Sequence, residues 1–135
     1  MATLVKSILT GSDVTSLGEL TSSDTVDPVR GATLTATGVH GNVTLDFSAY
    51  QNFVFTLSAN STLVNPSTEA VGQSGFIVLI QDSTGGRTLS LGTDYETAAG
   101  AGITLSTAAS ATDIVPYIVA ASNRILLGAP QLAFS

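Results

Sequence analysis

The sequence predicts an all-β protein: an antiparallel β-sandwich of the jelly-roll kind over residues 31–135, preceded by an extended N-terminal arm over residues 1–30. Three observations lead there. Short segments alternate apolar and polar side chains with a period of two, turn signals built from Gly, Asn, Asp, Ser and Pro recur about every ten residues, and no stretch carries a sustained helical period.

The arm is set apart by its irregularity. Short apolar pairs such as Ile8-Leu9 are separated by Gly11-Ser12-Asp13 and by Thr21-Ser22-Ser23-Asp24, and Asp27-Pro28 closes it, because proline fixes its own φ and turns the residue before it away from helix. In ATLTAT, Ala32, Leu34 and Ala36 alternate with threonines, and in VTLDF, Val43, Leu45 and Phe47 alternate with Thr44 and Asp46. The Gly38–Asn42 link between them has turn composition, so the two are expected to pair as a hairpin. NFVFTL places Phe53, Phe55 and Leu57 on one face. GFIVLIQ is apolar on both faces from Phe76 to Ile80, which marks a central strand covered on both sides by a second sheet and the arm, or by another subunit.

QDSTGGRTLSLG then reads as a hairpin turn at Asp82, Gly85, Gly86 and Arg87, with Asp82 and Arg87 pairing across its end. Residues 98–112 are rich in Ala, Gly, Thr and Ser and hold one short strand around Ile103 and Leu105 at most. DIVPYIVA and NRILLG form the last pair of strands around an Ala120-Ala121-Ser122 turn. Pro116 marks an edge or a bulge, because it cannot donate to a ladder.

Composition narrows the function. The chain has 135 residues, four Lys and Arg, a formal net charge of -6 and no cysteine. Disulfides and thiolate metal sites are excluded, and four scattered cations cannot supply the clustered charge that nucleic acid or an anionic membrane requires. The first residues lack a signal-peptide core and no segment has the roughly 18 apolar residues of a membrane helix, so a soluble, unprocessed chain is expected. A mean hydropathy of +0.41 with 10% charged residues leaves two readings of the surface: either part of it meets a partner, or the abundant Ser and Thr hydroxyls keep it wet.

No constellation of residues predicts catalysis, so no enzyme and no cofactor are expected. His40, the single histidine, sits between Gly38 and Gly41 and has no second ligand for a metal. The serines lack a Gly-x-Ser-x-Gly context. Asp46, Asp82, Asp94, Glu96 and Asp113 are spread over separate segments, and without tryptophan a sugar cleft has little to stack on. Asp82–Gly86 lacks the ligand spacing and closing glutamate of a calcium loop, and Gly85-Gly86 lacks the Lys-Ser/Thr pair of a phosphate loop. The Asn42-Val43-Thr44 and Asn60-Ser61-Thr62 glycosylation patterns are read as chance.

The stretch VGQSGFIVLIQDSTGGRTLSLGTDY, followed by ITLSTAASATDIVPYIVAASNRILLG, resembles a module of tailed-bacteriophage virion proteins found in tail-fibre, collar and capsid-decoration proteins. Its marks are Gly72-Gln73-Ser74-Gly75, an apolar strand closing on Gln81-Asp82, Thr84-Gly85-Gly86-Arg87-Thr88, and Asp113-Ile114 opening another apolar strand. The chain departs from it at Leu91 and Val115-Pro116, where similar segments carry aromatics, and this weakens a sugar-binding reading of that face.

The resemblance implies a non-enzymatic structural role on the virion, commonly as a homotrimer, in a protein made in the host cytoplasm. Small size favours a capsid decoration, or cement, protein on the capsid surface that binds and stabilises the major capsid protein. A tail-fibre, collar or spike subunit engaged in host attachment is the alternative, and a glycan-acting enzyme a distant one. Val5, Ile8, Leu9, Leu17 and Leu20 of the arm are then expected to bury against another chain. Leu132 and Phe134, in an uncharged tail, are expected at a subunit interface or closing the sandwich.

Overall fold

The computed structural model describes residues 32–135. The arm, with Val5, Ile8, Leu9, Leu17 and Leu20, lies outside the described residues. The rest is all-β, as the alternation predicts: β1 (Thr33–Thr44), β2 (Asn52–Val64), β3 (Ser74–Gln81), β4 (Leu89–Leu91), β5 (Tyr95–Glu96), β6 (Thr112–Ala121), β7 (Arg124–Leu127) and β8 (Gln131–Phe134), with one 3₁₀ turn at Ala98–Gly100.

They form a single mixed sheet in the order β1-β2-β3-β6-β7-β5, with β4 added to β2 and β8 added to β6. Two long strands organise it. On one flank β2 carries β3 along Phe53–Leu57 and β4 along Ser61–Leu63. In the same way β6 carries β7 along Tyr117–Ala121 and β8 along Thr112–Ile114.

The sheet is not purely antiparallel, because two expected hairpins do not form. Residues 33–44 run as one strand whose register shifts between Ala36 and Gly41, and Gly38 and Gly41 take φ of 70° and 64° there, the left-handed conformation a bulge uses. Strand β1 then pairs parallel with β2. Residues 45–51 can reach at most roughly 29 Å, less than the roughly 36 Å from Thr33 to Thr44 in a straight strand, so the pair has to bend, and the bulges are where it does.

The link is drawn inward by its side chains: Leu45 and Phe47 are fully buried. Likewise Gln81 and Leu89 do not face each other across a hairpin. They lie in β3 and β4, which succeed one another along the same flank of β2, both parallel to it.

The expected β6–β7 hairpin does form. Its turn uses Asn123 at φ 57°, a residue type that tolerates the left-handed region. Pro116 is inside β6 rather than at an edge, and the physical account is local. Its carbonyl accepts from Gly128 N–H at 2.9 Å just where β7 ends, so the donor it lacks falls on the last rung. A Cβ on Gly128 would press on the Pro116 ring.

The core lies on the inner face. Phe53, Phe55 and Leu57 of β2, Ile77 and Leu79 of β3, Val115, Tyr117 and Val119 of β6, and Ile125 and Leu127 of β7 all point inward. The linker's Phe47 closes this layer, edge-on to Phe53 at 5.4 Å and to Tyr117 at 5.2 Å, a geometry favoured by the ring quadrupoles.

Candidate interaction face

The side chains between those core positions form the outer face, and the registers place them in rows. Thr35, Val54, Val78, Ile114 and Gln131 stand side by side across β1, β2, β3, β6 and β8. Next to that row, Phe76 faces Pro116, and beyond it Ser74, Ile118 and Leu126 align. On the other side Thr56, Ile80, Thr112 and Phe134 align. This is the second apolar face that the unbroken GFIVLIQ run foretold.

Among the described residues nothing closes it as residues 45–51 close the inner side. Phe76 is 49% exposed, Ile118 46% and Phe134 46%. A shallow groove of about 480 Å³ runs along it between Val54, Phe76, Val78 and Ile114, with Thr33, Asn52 and Gln131 at its rim. Phe134, named from sequence, thus sits on this face, while Leu132, also named, is exposed in the irregular stretch of β8 opposite Asp113. Phe76, Val78, Ile114 and Ile118 were not named, although their alternation with core residues was the available signal.

The charges on the same side lie at its margin. Glu96 of β5 and Arg124 of β7 pair there, with Arg124 Nε donating to Glu96 Oε1 at 3.0 Å. Together with the apolar centre, this gives the arrangement of an interface core with a polar rim.

The loop at Asp82–Arg87 has a different character. Asp82 accepts from the backbone N–H of Thr84 at 3.0 Å and Gly85 at 2.9 Å, and Arg87 closes on it with Nη2 to Oδ2 at 2.7 Å. Those bonds, with the guanidinium foremost, hold the Asp82 carboxyl below its ordinary value. Gly85 has φ 76°, and a Cβ there would collide with the Thr107 carbonyl.

Beneath the loop the buried Gln81 donates to the carbonyls of Arg87 at 2.9 Å and Ser106 at 2.8 Å, while its Oε1 accepts from Arg87 N–H at 2.8 Å. Asp113, also buried, accepts from Ser106 N–H and Oγ–H, both at 2.7 Å, and from Ala133 N–H at 2.9 Å. Gln73 donates to the carbonyls of Phe47 and Tyr50. Gln73, Gln81 and Asp113 are therefore buried clamps that bind mostly backbone groups, while Asp82 and Arg87 pair with each other at the partly exposed loop.

The other polar candidates are dispersed. His40 is exposed and donates from Nδ1 to the Gly38 carbonyl at 2.8 Å. Asp46 caps its own turn, and the Ser48 hydroxyl holds its carboxyl below the ordinary value. A cleft of about 640 Å³ beside β4 and β5 is lined by Leu89, Leu91, Thr93, Glu96, Thr97 and Gly102, among others. The hydroxyl of Tyr95 in its wall is buried without a hydrogen-bond partner among the described residues, and burial pushes that phenol up. No group of three His, Asp or Glu that could hold a metal occurs among the described residues, and no helix there is long and apolar enough to cross a membrane.

Compared with known families, residues 41–121 match the model of a putative phage tail fibre C-terminal domain. The match spans more than half of the chain and runs from the second half of β1 to the end of β6. It includes Gln73, Gln81, the Asp82–Arg87 loop and Asp113. No curated protein and no solved structure matches the chain.

Proposed function

The chain belongs to the putative phage tail fibre C-terminal domain family, and on that premise we propose that it is a non-enzymatic structural part of a bacteriophage tail fibre. It assembles there as a homotrimer and displays its loops outward as part of the host-attachment apparatus. The observation that carries this is the family match over the strands and clamps that build the sheet. A bacteriophage structural protein follows from the family, and the family's description supports reading it as part of a fibre.

The capsid-decoration reading rests on the size of the chain and on an arm outside the described residues. Neither observation identifies the major capsid protein as a partner. The fibre reading needs no such partner, only contacts between copies and with neighbouring fibre segments.

A reconstruction of the intact particle, with the protein marked by a bound antibody fragment, tests the placement. Density on fibre ends is expected. Density distributed over the capsid shell would overturn the fibre reading and restore the decoration one. Light scattering on the purified chain tests the trimer, and a mass of one chain at tens of micromolar would count against it.

A further inference from the structure

We infer that the outer face of β2, β3 and β6, with Phe134 of β8, packs against the corresponding face of other copies of this chain. The inference rests on the reading that the chain self-assembles, and it adds which face does so.

Composition and charge select the occupant. The chain carries a net charge of -6, so two copies repel wherever their acidic surfaces approach. The outer face is free of that repulsion. Its centre, from Val54 through Val78 to Ile114, is apolar, and the charges on its margin, Glu96 and Arg124, already neutralise each other.

Among the described residues this centre offers a basic partner no acidic side chain to recognise. Among the same residues an anionic lipid surface would find no lysine there, and the arginine on that side, Arg124, is paired with Glu96. Uncharged centres meeting inside paired-charge rims satisfy every copy at once. The three large side chains left about half exposed on this face, Phe76, Ile118 and Phe134, supply the kind of anchors that carry most of the energy of an interface.

Side chains on this face are not needed to close the core, because the inner positions alternate with them. The assembly can therefore be broken without unfolding the chain. The test uses the full chain, with circular dichroism to check folding and analytical ultracentrifugation at tens of micromolar to read mass.

The wild type is expected to sediment as a multimer. The double variant Phe76→Ser with Ile118→Ser, and separately Phe134→Ser, are expected to raise the dissociation constant on the order of tenfold or more with strand content retained. The second variant lies in a short terminal strand, so it remains informative if the first impairs folding.

An independent readout uses the absence of native cysteine. A thiol reagent should label Ile118→Cys several-fold more slowly than Ser83→Cys, on the exposed Asp82–Arg87 loop, in assembled protein and equally fast in diluted protein. A multimer that both serine variants leave intact, with Ile118→Cys labelled as fast as Ser83→Cys, would overturn the assigned face and leave self-assembly standing. A monomeric wild type would overturn both.

Discussion

The two faces of the β2-β3-β6 sheet are built from alternate residues of the same strands, and they end in opposite states. On the inner side Phe53, Ile77 and Val115 are exposed by 1% or less, because they share one core with Leu45 and Phe47 of residues 45–51 and with Leu63, Leu89 and Tyr95. On the outer side Phe76 and Ile118 keep nearly half of their surface open. Residue type alone does not distinguish them; a covering segment does. The inner face therefore governs stability, and the outer face governs assembly.

The sharpest way to break that comparison is to truncate one aromatic on each face. Phe53→Ala removes a side chain that touches Phe47, Phe55 and Tyr117, leaves a cavity, and is expected to cost about 3–5 kcal/mol of unfolding free energy. Phe76→Ala, measured below the assembly concentration, should cost a small fraction of that. Urea denaturation of both proteins checks it, and equal losses would mean that the outer face is as well covered as the inner.

Next in size is the clamp under the Asp82–Arg87 loop. Gln81→Leu keeps the volume roughly constant but strips partners from the Arg87 N–H and carbonyl and the Ser106 carbonyl. Leaving buried polar groups unpaired costs about 1–3 kcal/mol each where water cannot reach them. A loss of about 2–4 kcal/mol is expected, without change in oligomer mass. If the variant instead dissociates at unchanged stability, the loop belongs to the interface and the division of roles between the two faces fails.

A smaller effect is tied to pH. Because Asp82 is held below its ordinary value of 3.8, its carboxylate stabilises the folded chain fully above that value, and the contribution disappears as pH falls through the lowered folded-state value. The gap in thermal midpoint between wild type and Asp82→Asn should be constant from pH 7 to pH 5 and close in the acid range below pH 4. A gap that persists at pH 2 would show that the side chain acts by shape rather than by charge.

Much of the fold was legible because period-two alternation is a local signal. Phe53-x-Phe55-x-Leu57 and Val115-x-Tyr117-x-Val119 reveal their buried faces without knowledge of their neighbours. Pairing was not legible. Gly38 and Gly41 have the composition of a hairpin turn, yet they bulge a single strand, because the choice was made by Leu45 and Phe47 entering the core farther along the chain.

The same limit applies to the Asp82–Arg87 loop. Its ion pair was readable from spacing. That it carries the chain from β3 to β4 along one flank of β2 depends on a parallel register no local pattern encodes. Of the candidate face, Phe134 stood out because it lies in an uncharged tail. Phe76 and Ile118 were hidden within runs that also feed the core.

The smallest expected effect concerns β8, where an inward-facing group meets the outer face. Ala133 lies between Leu132 and Phe134 with φ 60°, and its N–H donates to the buried Asp113. A left-handed conformation costs a residue with a Cβ roughly 1–2 kcal/mol, whereas glycine adopts it freely but loses about 0.5–1 kcal/mol more in chain entropy on folding. Ala133→Gly therefore gains about 0–1.5 kcal/mol net, and since Ala133 is exposed it forfeits no packing. Stability in urea should rise slightly while the sedimenting mass is unchanged, because Phe134 stays where it is. If the glycine variant instead loses assembly at unchanged stability, the strained alanine is what aims that side chain, and the outer face depends on backbone geometry fixed from the inner side through Asp113.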